Sequence, residues 1–249
     1  MKMLHDIIDL HTHTIASGHA NSTIDEMVRT ASQKGAELIG ISDHAPAMEG
    51  SAYDRYYRTG RSVPRAISGV RVLFGAELNI LDHNGTVDLD EEFSDRLDYA
   101  IASLHVECIR PGTKKENTEA LLKAMRNPKV FIIGHPDDGA FEVDYELLAM
   151  KAAENHVLIE LNEASVRPDS YRKNARKNAV KLLSACKKYG TRIIISSDAH
   201  AASNVMQHTN AIRLLEELRF PEELIVNSSV DRLMELLSMR KDHAENALL

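Results

Sequence analysis

The chain has no tryptophan, only two cysteines, and aromatic residues at just 5% of its 249 positions. Cys108 and Cys186 form no CxxC pair, so neither a disulfide framework nor a thiolate zinc knuckle is expected. So few aromatic rings leave little on which single-stranded bases could stack. No apolar run approaches the ~18 residues of a membrane span, which argues against a membrane partner. Residues 1–10 are too short and too acidic for a secretory signal, so a cytoplasmic location is the expectation. The formal net charge is −7 with no basic stripe, and duplex nucleic acid is therefore not an expected partner. Low-complexity stretches and Gly/Ser linkers are also missing.

The chain does have a core. Apolar residues make up 43% and charged residues 27%, ordinary values for a globular protein. Residues 1–249 read as one α/β domain. Short β-rich runs alternate seven times with longer amphipathic stretches. The strands are expected at residues 6–14, 38–44, 71–80, 99–105, 130–136, 157–163 and 192–200. Most are continuous apolar runs, as befits parallel strands covered on both faces. Helices are expected from a Thr23/Glu26 capping box to Gly35, then over 117–126, 145–155, 172–189, 202–218 and 231–241. Such units make a parallel sheet, either closed as a TIM-like barrel or open and doubly wound. Periodicity does not choose between the two.

Twelve histidines are present, and their placement carries the chemistry. His11 and His13 end the first strand two residues apart, so both imidazoles point to one face. His44 ends the second, Glu77 lies near the end of the third, His105 ends the fourth and His135 the fifth. Asp198 and His200 end the seventh, again two apart. In a parallel barrel all these ends share one rim, the rim that carries active sites. One strand-end histidine is an ordinary packing residue, but six strands ending in ligand types are not an accident. His19, in the first loop, could make a ninth ligand. His5, His83, His156, His208 and His243 are read as surface or packing residues.

Imidazole and carboxylate without thiolate suit zinc, manganese or iron, whereas magnesium and calcium prefer all-oxygen cages. Nine ligands are too many for one ion, so two or three are expected, with Glu77 the natural bridge. Clustered ions acidify a bound water and clamp the oxygens of an in-line displacement, which points to phosphate-ester hydrolysis.

At His11-Thr-His13, Ser42-Asp-His44, Gly75-Ala-Glu77, His105, Gly134-His135-Pro136 and Ser197-Asp198-Ala-His200 the sequence resembles the PHP (polymerase and histidinol phosphatase) superfamily. Ser42-Asp-His44-Ala-Pro46 and Glu160-Leu-Asn162 look closest to its YcdX-type bacterial phosphatases. The resemblance implies a distorted seven-stranded (β/α) TIM-like barrel, the PHP fold, and three divalent metal ions, usually zinc. By the same resemblance, His11, His13, Glu77 and Asp198 would hold one ion. Glu77, His105 and His135 would hold the second, and His19, His44 and His200 the third. A metal-bridging hydroxide held by Glu77, Asp198 and His135 would be the attacking group, and a homotrimer is implied.

Substrate contacts are sought among Arg61, Arg65, Arg167 and Arg172, because a guanidinium matches phosphate bidentately. Arg61 comes first, since its Arg-x-x-Pro-Arg run is similar to one in those phosphatases. Asn162 could line the pocket or form a turn, and Glu160 is read as facing away or orienting a histidine. The leading expectation is a phosphatase for small phosphorylated metabolites. A phosphodiesterase or 3'-5' exonuclease, in which Tyr53, Tyr56 and Tyr57 would stack bases, is the alternative. A non-catalytic metal-stabilised scaffold would require lost ligands, and an amidohydrolase would require a strand-end lysine. Neither feature is found.

Overall fold

Isoleucine-, leucine- and valine-rich segments form the strands because both of their faces are covered. β2 (Leu38–Ile41), β6 (Val130–Ile133) and β8 (Ile193–Ser196) are buried at every position. The computed structural model describes residues 4–247, apart from the side chains of Arg61, Glu91 and residues 245–247. The other strands are β1 (Ile8–Asp9), β3 (Ala66–Ile67), β4 (Val70–Asn79), β5 (Tyr99–Ser103) and β7 (Leu158–Asn162). Seven run parallel in the order β1-β2-β4-β5-β6-β7-β8, and β3 adds a short antiparallel edge to β4. A parallel bridge between Thr12 and Ala199 brings the last strand back to the first, with the His13 N–H donating to Ala199 O at 2.8 Å. The result is a nearly closed seven-stranded α/β barrel rather than an open sheet.

The helices are α1 (Ile24–Gln33), α2 (Glu91–Ser94), α3 (Lys114–Ala124), α4 (Tyr145–Glu154), α5 (Glu163–Val166), α6 (Ala175–Tyr189), α7 (Thr209–Glu217) and α8 (Val230–Ala247). The Thr23/Glu26 capping box is present, and a second one, Thr113/Glu116, starts α3 three residues before its expected first residue. Two expected helices start late, each after a residue with left-handed backbone. Asn174 (φ 57°) precedes α6, and Met206 (φ 57°) separates a short 3-10 turn from α7. The 3-10 helix Asp54–Ser62, α2 and β3 have no counterpart in the sequence reading.

α8 closes the end of the barrel opposite the histidines. Its Leu233, Leu236 and Leu237 join a buried cluster with Ile8, Leu38, Phe131, Leu158 and Ile194. The buried Arg240 guanidinium donates to the Met125 and Asn127 carbonyls after α3 and to the Val130 carbonyl at the start of β6. The interior is thus a packed core and not a pore. Gly40 makes room for it, since a Cβ there would lie 2.0 Å from the Tyr99 hydroxyl. Among the described residues no helix is long and apolar enough to cross a membrane.

Candidate metal centre

Strand ladders end early at the histidine rim because side chains take over the backbone groups. Instead of continuing β1, Thr12 N donates to Ser42 Oγ (3.1 Å) and Thr14 N to Asp43 Oδ1 (2.6 Å). The chain beyond Asp9 therefore turns its ring-bearing residues inward. His135 and Asp198 hold left-handed φ values of 26° and 56°, which non-glycine residues adopt only when the surroundings impose them. At Gly134, a Cβ would lie 2.2 Å from Ser103 Oγ, so only glycine lets this turn approach β5.

All nine sequence-derived ligands meet here: His11, His13, His19, His44, Glu77, His105, His135, Asp198 and His200. Buried Glu77 is the hub. Its Oε2 lies 3.2 Å from His11 Nε2, 3.5 Å from His13 Nε2 and 2.8 Å from His44 Nδ1. Its Oε1 lies 2.9 Å from His135 Nε2 and 3.3 Å from His105 Nε2. Asp198 Oδ1 lies 3.3 Å from His13 Nε2 and 3.7 Å from His11 Nε2. His19 and His200 set their Nε2 atoms 2.9 Å apart at the outer edge. Three sets place donor atoms within 4.8 Å of one another: His11/His13/Asp198, His44/Glu77/His105 and His13/His44/His200. His13 and His44 are each shared between two sets, a pooling the pattern of strand ends did not reveal.

The donor set fits a cation. His11 Nε2, His13 Nε2, His44 Nδ1 and Glu77 Oε2 are buried without hydrogen-bond partners. Ligands about 2.0–2.1 Å from a tetrahedral ion sit roughly 3.3 Å apart, close to the separations found here. Neighbouring rings stack with centroids only 4.2 Å apart for His13 and His200 and 4.7 Å for His19 and His200. Burial, with His44 and His200 adding to it, holds His13 well below its ordinary pKa. His11 is pushed down by burial but raised more by Glu160, Glu77 and Asp198, and ends well above its usual value. Burial pushes Glu77 and Asp198 up, yet facing histidines, and Arg172 for Asp198, hold both carboxyls well below the usual range.

A layer behind the candidate ligands fixes the tautomers of three of them. Glu160 Oε1 accepts from His11 Nδ1 at 2.7 Å, and its Oε2 accepts from the His135 backbone N–H at 2.7 Å. Glu160 thus points at the cluster and orients two of its members. Ser17 donates to Asp43 Oδ1 (2.7 Å), so its oxygen is left to accept from His13 Nδ1 (3.0 Å) and His44 N (3.1 Å). The Asn79 amide donates to Asp88 Oδ2 (2.6 Å), which leaves its oxygen to accept from His105 Nδ1 (2.7 Å). In each case the acceptor fixes a proton on Nδ1 and turns Nε2 inward.

The substrate candidates fare differently. Arg172 is buried, donating to Asp198 Oδ2 (2.9 Å), Asn162 Oδ1 (3.1 Å) and Ser165 Oγ (3.2 Å). Asn162 both forms the turn into α5, accepting from Ser165 N (3.1 Å), and donates to Glu160 and Asp198. Arg167 lies beside a recess walled by Asp198, its Nε 3.1 Å from Asp169. Arg65 does not reach the mouth; it pairs with Asp98, just before β5, at the opposite end of the strands. The Arg61 side chain lies outside the described residues.

Some participants escaped the sequence reading. Asp43, Ser17 and Asn79 carry no metal-ligand signature, although Asp43 stands inside the Ser42-Asp-His44 run. His208, read as a surface or packing residue, is a buried ion-pair partner, 2.7 Å from Asp6 and 3.6 Å from Asp9. Asp9 in turn accepts from Ser197 N (3.1 Å) and Met206 N (3.0 Å), tying β1 to the segment that carries Asp198.

Comparison with known proteins agrees with this geometry. The PHP domain model matches residues 9–164. Two proteins named probable phosphatase, from Caldicellulosiruptor saccharolyticus and Acetivibrio thermocellus, are 43% and 42% identical to the chain. Those matches cover 96% and 95% of this chain and 98% and 97% of the relatives. The histidinol phosphate phosphatase of Lactococcus lactis, solved with zinc, L-histidinol and phosphate, shares the fold. It superposes at a TM-score of 0.62 with 18% identity, over 87% of this chain and 95% of its own.

Proposed function

The chain belongs to the PHP domain family, and from that premise we propose that it is a metal-dependent phosphatase for phosphomonoesters of small metabolites. The observation that carries this reading is the convergence of buried, unpartnered lone pairs on one rim. His11, His13, Glu77 and Asp198 would hold one ion, Glu77, His105 and His135 a second, and His19, His44 and His200 a third. Bound divalent ions, zinc first with manganese or iron as alternatives, would neutralise phosphate oxygens and acidify a coordinated water.

The chain's own residues supply the preorganisation. Glu160, Ser17 and Asn79 hold the Nδ1 protons of three ligands, and Arg172 keeps one oxygen of Asp198 turned away from the cluster. The facing histidines, with Arg172 for Asp198, keep the Glu77 and Asp198 carboxyls ionised in a buried setting. A small substrate suits this mouth better than a strand of nucleic acid. Tyr57 is buried against the His44 carbonyl, and Tyr56 spends its hydroxyl on Asp43. Of those three tyrosines only Tyr53 offers an exposed ring.

The test is to count bound metal per chain and to measure p-nitrophenyl phosphate turnover in the wild type and Glu77→Ala. Two or three equivalents with turnover, both lost in the variant, is the expected result. A wild-type protein that binds no transition metal even on reconstitution would sink the proposal.

A further inference from the structure

We propose that the substrate carries a second anionic group, which seats in an arginine-lined groove beside the metal centre. Arg167, Arg172, Arg176 and Arg213 face one recess of about 400 Å3, with Glu217 the only carboxylate in its wall. Counting the carboxylates paired with them, Asp169, Asp198 and Glu217, the four arginines keep an excess of one positive charge in a chain whose formal net charge is −7. The arginines come from three separate pieces of chain: the segment between α5 and α6, the first turn of α6, and the outer face of α7. Gathering like charges from separate elements raises the local potential, and an anion is what such a potential collects.

The arginines are not equally committed. Arg172 is held by Asp198 and forms the inner wall. Arg176 pairs with Glu217 and Arg167 with Asp169. Those are exposed pairs, which are weak and give way to a bidentate phosphate or carboxylate. Arg213 has no ion-pair partner among the described residues and is the free fork of the set. The groove also leads somewhere. A neighbouring recess of about 270 Å3 shares Arg167, Pro168 and Asn210 with it and has Asp198, with Glu163 and Asp169, in its wall. In the proposed binding mode a molecule whose phosphate meets the metal centre beside Asp198 extends along Arg167 towards Arg213, the one arginine of the four with no carboxylate partner among the described residues. The combined space is of the size that holds small ligands. The substrate class is thus a phosphomonoester bearing a distal phosphate or carboxylate, in preference to one with a neutral tail.

This inference rests on the phosphatase reading, and its test separates the two. The metal-loaded enzyme is assayed on alkyl phosphates of increasing length whose far end is a hydroxyl, a carboxylate or a phosphonate. At one preferred length, kcat/KM for an anionic tail is expected to exceed that for the hydroxyl tail by about tenfold or more. Arg213→Glu abolishes that preference, while Arg29→Glu, the same charge change on α1, keeps it. The carboxylate and phosphonate arms tell which anion the groove takes. Equal kcat/KM for all tails, or equal effects of the two variants, would overturn the inference and leave the phosphatase intact. Turnover of no ester at all would overturn the phosphatase reading instead. Calorimetry with an alkyl bisphosphonate against a hydroxyalkyl phosphonate still reads the groove in that case. Tighter binding of the bisphosphonate that vanishes in Arg213→Glu supports the groove, and equal affinities reject it.

Discussion

The Arg172 guanidinium donates to Oδ2 of Asp198 at 2.9 Å, which leaves the other carboxylate oxygen turned toward His11 and His13. Both side chains are buried, so neither charge has water to fall back on. Arg172→Ala strands a buried carboxylate, and a loss on the order of 3–5 kcal/mol of stability is expected. Arg172→Lys keeps the charge but not the fork that also reaches Asn162 and Ser165, and should lose less. Urea unfolding of the three proteins measures it; an Arg172→Ala protein as stable as the wild type would refute the role.

Glu160 joins two members of the histidine cluster that would otherwise be independent, His11 through its ring and His135 through its backbone N–H. Removing a carboxylate that orients a metal-binding histidine typically weakens metal affinity about 10–100-fold. Glu160→Ala is expected to fall in that range in competition titrations with a chromophoric chelator. Glu160→Gln, which still offers His11 an acceptor, should lie between it and the wild type.

Ser17 sets the tautomer of His13 by donating its own proton to Asp43. Long-range proton–nitrogen NMR should show His11, His13 and His105 protonated at Nδ1. In Ser17→Ala, His13 alone should lose that signature. The buried donors left unpaired cost about 1–3 kcal/mol. A spectrum unchanged at His13 would mean that Ser17 does not hold it.

His208 gives the fold a pH dependence of its own. Burial pushes its pKa down, but the hydrogen bond to Asp6 and the nearby charges of Asp6 and Asp9 raise it to about 10. The ordinary value in an unfolded chain is about 6.5. The contribution of this pair is therefore complete below about pH 6.5 and drains away as pH climbs towards 10. At about 1.4 kcal/mol per pKa unit, the loss amounts to a few kcal/mol. Denaturant titrations from neutral to alkaline pH, with chelator present throughout, should show that decline in the wild type and a much flatter profile in His208→Gln.

The histidine rim was legible in the sequence because ligand types ended successive strands, and parallel strands put those ends on one face. His11, His44, His105 and His135 needed no tertiary information beyond that rule. His19 stood outside it and came only through the family resemblance, since a loop residue has no fixed direction. Asp43, Ser17 and Asn79 were silent because serine, asparagine and aspartate are common in loops for many reasons. Arg172 announced an anion partner but not which one, and the partner is Asp198, 26 residues further along the chain.

The sequence by itself determined the alternation of strand and helix, the buried character of the seven parallel strands, and the residue types that line the rim. These follow from local patterns: apolar runs, capping boxes, and side chains whose type names their ligand. Only the tertiary structure decided that the sheet closes, through the bridge between Thr12 and Ala199, and so which ligands pool around Glu77. Closure and pooling depend on residues nearly two hundred positions apart, and no local pattern encodes a distance between them.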